Sequence, residues 1–298
     1  MELETANPAG RRAAFEAHRG RLWGVAYRML GSRADAEDMV QEAYLRWHDA
    51  PTEEVRAPEA WLVTTTTRLC IDRLRQLRAE REAYVGPWLP EPLVEEAPSA
   101  DAATELASDL SMAFLALLER LAPEERAAFL LHDVFESDYD EISAALGKSA
   151  TACRQIVSRA RRRVRQERPR VRVSAAARER LVESFMRAIE LRDRDALLAI
   201  FAEDATLMSD GGGKAKAAQK VVRGGASVAR FLLGVLRPAR ERLTLQKIAV
   251  NGETGIALRV DGRLLSVMSL ATDGQRILGV YSVLNPDKLR GVPPGVRH

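Results

Sequence analysis

A tight turn between two helical patterns is the feature that most constrains this chain. Residues Tyr139–Leu146 predict a short helix, Gly147 allows the positive φ that ends it, and Ser149 is placed to cap the next helix. From Ala150 to Arg165 apolar residues recur at steps of three and four, which predicts a helix with one packed face. The opposite face carries hydroxyl, amide and guanidinium groups. This arrangement is typical of a helix-turn-helix, whose second helix enters the major groove of DNA.

The polar face of that second helix divides by position. Side chains in its first turns can reach base edges, with arginine suited to guanine and glutamine to adenine, whereas later side chains meet phosphates. For the arginine run taken alone, a solvated surface helix is the alternative interpretation. The expected base contacts are Thr151, Arg154, Gln155 and Ser158, and the expected phosphate contacts are Lys148, Arg159, Arg161, Arg162 and Arg165.

Charge is unevenly distributed along the chain, although the net charge of the 298 residues is only +3. Residues 154–172 hold nine arginines against one acid, whereas residues 82–119 hold eight acids and no lysine or arginine. The pattern predicts a basic DNA-binding stripe and an acidic connector.

The sequence predicts neither a metal site nor a cofactor. Cys70 and Cys153 fall inside predicted helices with apolar neighbours and are expected to be small core residues. The four histidines have no metal-ligand spacing. The N-terminus has no apolar signal-peptide core and no stretch is long enough to span a bilayer, so a cytoplasmic protein without a membrane partner is expected.

The N-terminal segment predicts three helices. The first ends at Gly31, and Ser32 stands three residues before Asp35, a capping pattern that begins the second. The third helix begins at Pro58 and runs to about Glu82. It contains Thr64–Thr67, four β-branched residues that alone would suggest a strand, but the flanking apolar residues keep helical spacing. The outward side chains expected on the second helix are Asp35, Asp38, Gln41 and Glu42.

The pattern of predicted elements changes after about Arg172. Two helices, at 176–191 and 195–201, precede four predicted strands whose turns are marked by Asn251–Gly252, Asp261–Gly262 and Asp273–Gly274. Helices followed by an antiparallel meander indicate a separate α+β domain. Asp210 adjoins three glycines and is expected in a flexible surface loop. Residues 84–109 form an acidic, proline-rich linker, and its Trp88 indicates that part of it docks on another surface.

Residues 15–166 resemble the bacterial extracytoplasmic-function sigma factors, a family with two helical domains joined by a linker. The resemblance lies in Asp35–Tyr44, in Ala60–Leu62 leading to Ile71–Arg75, and in Cys153–Arg161, in the family's order. These stretches cover about half of the chain.

The remainder resembles a SnoaL-like domain, of the cone-shaped fold shared with nuclear transport factor two and ketosteroid isomerase. The stretch from Ile189 to Ala205 carries that likeness. Tyr84–Pro92, Asp210–Lys214 and Asn285–Leu289 are similar to the marks of a SigJ-type subgroup, in which a sigma factor is fused to this domain.

The resemblance implies a multidomain protein: two all-α sigma domains, a region 2 helical bundle and a region 4 helix-turn-helix, plus a C-terminal α+β SnoaL-like domain. It further implies a non-enzymatic subunit that binds core RNA polymerase and promoter DNA. The expected ranges are 11–82 for region 2, which binds polymerase and the −10 element, 83–109 for the linker, 110–170 for region 4, which reads the −35 element, and 171–298 for the SnoaL-like domain and its tail.

The second helix, with its outward acids, is implied as the polymerase contact. The −10 element requires an opened strand, whose backbone suits basic side chains and whose flipped base suits a small pocket. For Trp61 a buried core position is the alternative to stacking on a base. The residues assigned to the −10 element are Arg56, Trp61, Thr64, Thr65, Arg68, Arg73 and Arg75.

The appended domain is interpreted as a regulator of the sigma part, with the direction of regulation left open. A free monomer without a dedicated anti-sigma factor is expected. The alternatives are a ketosteroid-isomerase-like enzyme using Asp204 or Asp210 with Tyr281, a ligand sensor, or a repressor that binds duplex DNA alone. The expected regulatory contacts are Tyr84, Trp88, Asp210, Gly211, Gly212, Gly213, Lys214, Asn285, Pro286, Asp287, Lys288 and Leu289.

Overall fold

A computed structural model describes residues 8–51, 57–95, 110–167 and 173–293. The chain forms two compact units. The first unit comprises Met1–Glu82 with Leu117–Glu167, and the second comprises Ala83–Ala116 with Arg168–His298.

The first unit is helical. Its predicted caps are confirmed: the Ser32 hydroxyl accepts the Asp35 N–H at 3.2 Å, Gly147 has φ 63°, and the Ser149 hydroxyl accepts the Ala152 N–H at 3.2 Å. The helices up to residue 167 are α1 (Pro8–Leu30), α2 (Arg33–Asp49), α3 (Pro58–Glu82), α4 (Met112–Leu118), α5 (Pro123–Asp133), α6 (Tyr139–Leu146) and α7 (Ala150–Glu167).

The threonine run lies inside a helix, as the flanking spacing predicted. In α3 the side chains of Thr66 and Thr67 are buried together with Leu62, Leu69 and Leu74. Burial of this continuous stripe overrides the low helix propensity of the β-branched residues.

A buried arginine joins the N-terminal bundle to the helices that follow residue 117. Arg126 is only 2 % exposed and donates to the carbonyls of Met29 and Leu118 at 2.5 and 2.9 Å. Its charge is balanced by Glu119 at 2.7 Å, which Arg81 also contacts. A buried cation is tolerated only with such partners, so this network fixes how the two groups of helices pack.

The second unit is an α+β domain built on one sheet. The strand order is β1-β4-β5-β6-β7-β2-β3, in which β2 and β7 are parallel and the other neighbours antiparallel. Asn251 and Asp261 have φ 54° and 52°, which confirms two of the predicted hairpin turns. The elements are β1 (Val94–Glu95), α8 (Ala175–Leu191), α9 (Arg194–Ile200), β2 (Phe201–Asp210), β3 (Val222–Arg223), α10 (Gly225–Val235), a 3-10 turn (Arg237–Arg242), β4 (Leu243–Val250), β5 (Glu253–Val260), β6 (Arg263–Thr272) and β7 (Ile277–Val283).

The two faces of this sheet are covered by different parts of the chain. On one face α8, α9 and α10 pack a core that includes Phe185, Leu197 and Ile256. On the other face the linker and the C-terminal tail lie over β2, β4, β6 and β7. Leu89 and Met112 form one cluster there with Val283, and Val94 joins another around Val250. The linker is therefore part of the domain's packing.

Candidate nucleic-acid interface and linker clasp

Helix α7 presents the polar face that the sequence predicted. Its apolar residues Cys153, Ile156 and Val157 are buried against the rest of the helix-turn-helix. Phosphate contacts require cations that are free of internal partners. Among the residues that the structure describes, no partner is found for Arg159, Arg162 or Arg165. The exposed candidates on α7 are Thr151, Arg154, Gln155, Ser158, Arg159, Arg162 and Arg165.

Three of the predicted DNA contacts on this domain are engaged by the protein itself. The Arg154 guanidinium lies 5.0 Å from the centre of the Tyr139 ring. Arg161 is half-buried and donates to both oxygens of Asp133 at 2.8 and 2.9 Å. Lys148 lies 3.3 Å from Glu124. Arg161 is therefore a neutralised scaffold residue in this conformation, not a free phosphate contact.

The arginines assigned to the −10 element are also occupied. Arg68 donates to the carbonyls of Ala144 and Ala145, at the end of α6, at 2.6 and 3.2 Å. Arg73 pairs with Asp35 at 2.8 Å. Arg75 contacts Asp72 at 3.0 Å and Glu124 at 2.9 Å. These cations must exchange partners before they can hold a DNA strand.

The remaining −10 candidates are placed less openly than predicted. Trp61 is half-buried, with its ring 5.6 Å from that of Trp47, so it serves the core in this conformation. Thr64 and Thr65 are half-buried on the same helix. Arg56 lies outside the described residues.

Helix α2 presents an outward face of mixed character. Asp38 and Gln41 are exposed, and Glu42 pairs with Arg46 at 2.9 Å. The prediction that Asp35 lies outward is wrong, because its side chain is 20 % exposed and turned toward Arg73. Sequence reasoning missed Leu45, which is 50 % exposed on this face and was obscured by an otherwise regular apolar period.

Asp210 lies at the centre of a buried polar cluster, the linker clasp, formed by Tyr84, Leu89, Asp210, Asn285 and Lys288. The expectation of a flexible surface loop is wrong for this residue: Asp210 ends β2 and is 0 % exposed. Its carboxylate accepts from the Tyr84 hydroxyl at 2.5 Å, the Leu89 N–H at 2.8 Å and the Lys288 ammonium at 2.7 Å. The three donors compensate for the burial of the charge.

Lys288 ties the tail to the linker in two ways. Its ammonium donates to the Leu89 carbonyl and lies 3.9 Å from the centre of the Trp88 ring, a cation–π distance. The Asn285 amide donates to the Tyr84 hydroxyl at 2.9 Å. Burial and the hydrogen bond to Asp210 raise the pKa of Tyr84, so the phenol stays a neutral donor.

Glycine is required at the centre of this cluster. Gly212 has φ +55°, and a Cβ there would lie 2.3 Å from the Asn285 amide nitrogen and 2.7 Å from the Tyr84 hydroxyl. Next to it, Gly213 and Lys214 are exposed, and Lys214 pairs with Asp287. Gly211 is buried and Pro286 is exposed, whereas Leu289 packs on both apolar clusters under the linker.

A second attachment of the linker was missed from the sequence. Leu93 and Asn251 exchange hydrogen bonds at 2.7 and 3.1 Å, and β1 pairs with the edge of β4 through Val94 opposite Val250. The linker is thus held at Asp210 and again at the sheet edge. Because this second attachment uses the backbone N–H and C=O groups of the linker, side-chain patterns in the linker carry little signal for it.

The residues considered for an acid–base site do not meet around a common space. Asp204 is exposed near the start of β2, whereas Asp210 is enclosed by the clasp. Tyr281 packs with Leu89 and Met112 on the linker-covered face. Within the described ranges, no group of three or more His, Cys, Asp or Glu side chains is placed to hold a metal. No described helix is long and apolar enough to cross a bilayer.

Comparisons with known proteins match both the parts and the whole. The Sigma-70 region 2 model matches residues 14–80, and the Sigma-70 region 4 model matches residues 111–164. SigJ of Mycobacterium tuberculosis, an ECF RNA polymerase sigma factor, is 38 % identical over 94 % of this chain and 93 % of its own. A probable ECF sigma factor of that species, SigI, is 32 % identical over 93 % of this chain and 94 % of its own.

A solved structure resembles the chain over nearly its whole length. The crystal structure of the M. tuberculosis extracytoplasmic function sigma factor SigJ superposes with a TM-score of 0.76 at 36 % identity, covering 94 % of this chain and 99 % of the other. The likeness spans the helical domains and the sheet domain together. This chain therefore belongs to the extracytoplasmic-function RNA polymerase sigma factors, the alternative sigma subunits that direct core polymerase to promoters.

Proposed function

We propose that three helices of this sigma factor make its contacts with promoter DNA and polymerase, and that the linker clasp regulates them. Helix α7 reads the −35 element as duplex, α3 with Arg56 holds the opened −10 strand, and α2 binds core polymerase. The observation that carries the proposal is the row of exposed polar side chains on α7, in a capped helix-turn-helix.

The −35 role follows from which side chains on α7 are available. The side chains exposed in the first turns, where a recognition helix contacts base edges, are Thr151, Arg154, Gln155 and Ser158. Arg159, Arg162 and Arg165 continue the exposed row toward the phosphates. Arg161 and Lys148 contribute only if their carboxylate partners release them.

The −10 role requires a rearrangement within the first unit. Arg68, Arg73 and Arg75 are bound to carbonyl or carboxylate oxygens, so each must trade one oxygen partner for a phosphate. Polymerase binding to Asp38, Gln41 and Glu42 on α2 is the step that supplies the free energy for this exchange. Asp35 acts in it as the internal partner of Arg73.

The C-terminal domain regulates the factor by holding both ends of the linker. Tyr84 and Leu89 are fixed at Asp210, and Met112 packs in the same apolar cluster as Leu89. The distance between Tyr84 and Met112, at the two ends of the linker, is then set by this domain. Such an internal restraint is consistent with a free monomer that has no dedicated anti-sigma factor. It also gives Asp210, the candidate catalytic acid, a binding role, and the protein is proposed to catalyse no reaction of its own.

Run-off transcription tests the proposal directly. Fragmented genomic DNA, core polymerase and the full chain are expected to yield transcripts with defined start sites that are missing without the chain. Gln155→Ala is expected to reduce them by about tenfold, since a bidentate base contact is worth about 1–3 kcal/mol. Arg163→Ala is the matched control, because Arg163 is on the same helix but pairs with Glu125 of α5 and is assigned no DNA contact.

Two results would contradict parts of this function. Duplex binding without initiation by any version would favour a repressor. Equal loss of transcripts in Gln155→Ala and Arg163→Ala would mean that α7 acts through its fold and not through base contacts.

A further inference from the structure

One arginine of the recognition helix α7 lies against an aromatic side chain of the neighbouring helix α6. Tyr139 is the first residue of α6, and the guanidinium carbon of Arg154 on α7 lies 5.0 Å from the centre of its ring. That distance is within the range of a cation–π contact. Arg154 is exposed, yet its guanidinium is supported on one side by a half-buried ring.

The ring of Tyr139 is itself held in place. Asp138 caps α6 by accepting the N–H groups of Asp140 and Glu141 at 2.9 and 2.8 Å, which fixes the backbone beside Tyr139. The ring of His132 on α5 lies 4.8 Å from the Tyr139 ring, centre to centre. The supporting ring therefore bridges two helices of the scaffold.

His132 is anchored in turn by the neutralised arginine. Its Nδ1 lies 3.1 Å from a guanidinium nitrogen of Arg161, whose other contacts go to both oxygens of Asp133. A continuous series of contacts thus runs from Asp133 through Arg161, His132 and Tyr139 to Arg154. Only the last member is an exposed side chain that the −35 role assigns to a base.

We propose that Tyr139 is a positioning residue that presents Arg154 to a single base pair of the −35 element. An exposed arginine samples many rotamers, and stacking on a fixed ring limits that sampling before DNA arrives. The chemistry suits guanine, whose O6 and N7 accept a bidentate arginine. This inference rests on the proposed function of α7 and adds the source of selectivity at one position.

The ring face, and not the phenol oxygen, does the positioning. Across the part of the chain that the structure describes, the Tyr139 hydroxyl has no hydrogen-bond partner. Phenylalanine keeps the ring and loses only the hydroxyl, so Tyr139→Phe is the conservative control. Tyr139→Leu and Tyr139→Gln remove the ring with an apolar and a polar replacement, and either folded variant can serve.

The test uses the holoenzyme on a promoter pool with a randomised −35 element, followed by sequencing of the selected templates. Arg154→Ala is expected to abolish selection at one base pair, about tenfold, and to leave the others unchanged. Tyr139→Leu and Tyr139→Gln are expected to weaken selection at that same base pair by about two- to fivefold. Tyr139→Phe is expected to retain it.

The outcomes separate the inference from the function on which it rests. Uniform weakening at every position in the ring-deleted variants, or an equal loss in Tyr139→Phe, would overturn the positioning role. A further loss on adding Tyr139→Leu to Arg154→Ala would overturn it too, because Tyr139 would then touch DNA itself. If Arg154→Ala changes no position, the base contact assigned to Arg154 fails first, and the inference fails with it.

Discussion

Asp210 is the residue on which the hold over the linker depends. Its buried carboxylate faces Lys288, whose side chain is 13 % exposed. In Asp210→Asn the ammonium loses its counter-charge while it stays buried, and breaking such a pair costs about 3–5 kcal/mol. We expect a loss of that order in the free energy of unfolding of the second unit, measured by chemical denaturation.

Asp287→Asn is the matched control for that measurement. Asp287 also receives a lysine, Lys214, but the pair is exposed and screened by solvent. A small change for Asp287→Asn together with a large one for Asp210→Asn is expected. Similar effects for the two variants would show that burial of Asp210 contributes nothing.

Tyr84 gives the clasp a pH limit. Burial and the hydrogen bond to Asp210 raise its pKa above the ordinary 10.0, so the folded chain holds this proton more tightly than the unfolded chain. The stability that Tyr84 contributes is therefore complete below pH 10 and lost as the pH rises through the folded-state pKa. Ultraviolet titration of the phenols should show a component that ionises at higher pH than a free tyrosine.

A Tyr84→Phe variant tests that assignment. It lacks the phenol at this position but keeps the ring, so the absorbance change of the late component should be smaller by one tyrosine. A late component of unchanged size in Tyr84→Phe would assign the raised pKa to another residue.

The identity of the clasp residues was predictable, but their burial was not. The likeness to a fused subgroup singled out Tyr84, Asp210 and Lys288 from their motifs. Three glycines after Asp210 suggested exposure, since glycines are common in surface turns. In the fold Gly212 is there because neighbouring side chains leave no room for a Cβ. A glycine required by close packing and a glycine required by a surface turn look the same in a sequence.

At the scale of elements, the linker behaves as part of a sheet domain. Leu89 is 0 % exposed, whereas Val85, four residues earlier, is 51 % exposed. Leu89→Ala is expected to cost about 2–5 kcal/mol in the unfolding of the second unit, because it leaves a cavity under the linker. Limited proteolysis should then cut the linker faster.

Val85→Ala provides the comparison within the same segment. An exposed position away from special features changes stability by about 0.5 kcal/mol or less. If both variants accelerate proteolysis equally, packing of Leu89 does not restrain the linker.

Elements whose ends are marked by capping or turn residues were predictable from the sequence. Elements that depend on backbone pairing with a distant strand were not. Ser32, Gly147 and Asn251–Gly252 each marked an end that the structure confirms. The two residues of β1 have no periodicity, because pairing with β4 decides their conformation. Helix α10 begins and nearly ends with glycine, which lowers its propensity, and burial against β2 stabilises it instead.

At the scale of the molecule, one carboxylate bridges the Sigma-70 region 2 and region 4 parts of the first unit. Glu124 contacts Arg75 of α3 at 2.9 Å and Lys148 before α7 at 3.3 Å. Glu124→Gln removes the carboxylate partner of Lys148 and leaves Arg75 paired with Asp72 alone, so affinity of the free protein for DNA at low salt should rise. Exposed pairs are worth about 0–1 kcal/mol, which limits the gain to about fivefold.

Fluorescence anisotropy with labelled oligonucleotides measures this effect, and the adjacent Glu125→Gln is the control. Glu125 pairs with Arg163, which has no assigned DNA role. A comparable gain in both variants would indicate a general change in net charge and not the release of Lys148.

Composition predicted an acidic connector but not which of the two units it packs with. The boundary between the two units falls at residue 83 and again within α4, so the linker belongs to the C-terminal unit. Charge and proline content describe how a segment meets water, whereas Leu89 and Met112 decide what it packs against. Reading the sequence one segment at a time cannot show that Leu89 and Met112, which are far apart in the sequence, pack together.

Because Leu89 and Met112 meet in one cluster, their proximity is set by apolar packing and not by the length of chain that joins them. The entropy cost of joining two such points grows slowly with chain length, by about 0.6 kcal/mol for each doubling. Relatives of this protein are therefore expected to keep the contact between these two positions even where the number of residues between them differs.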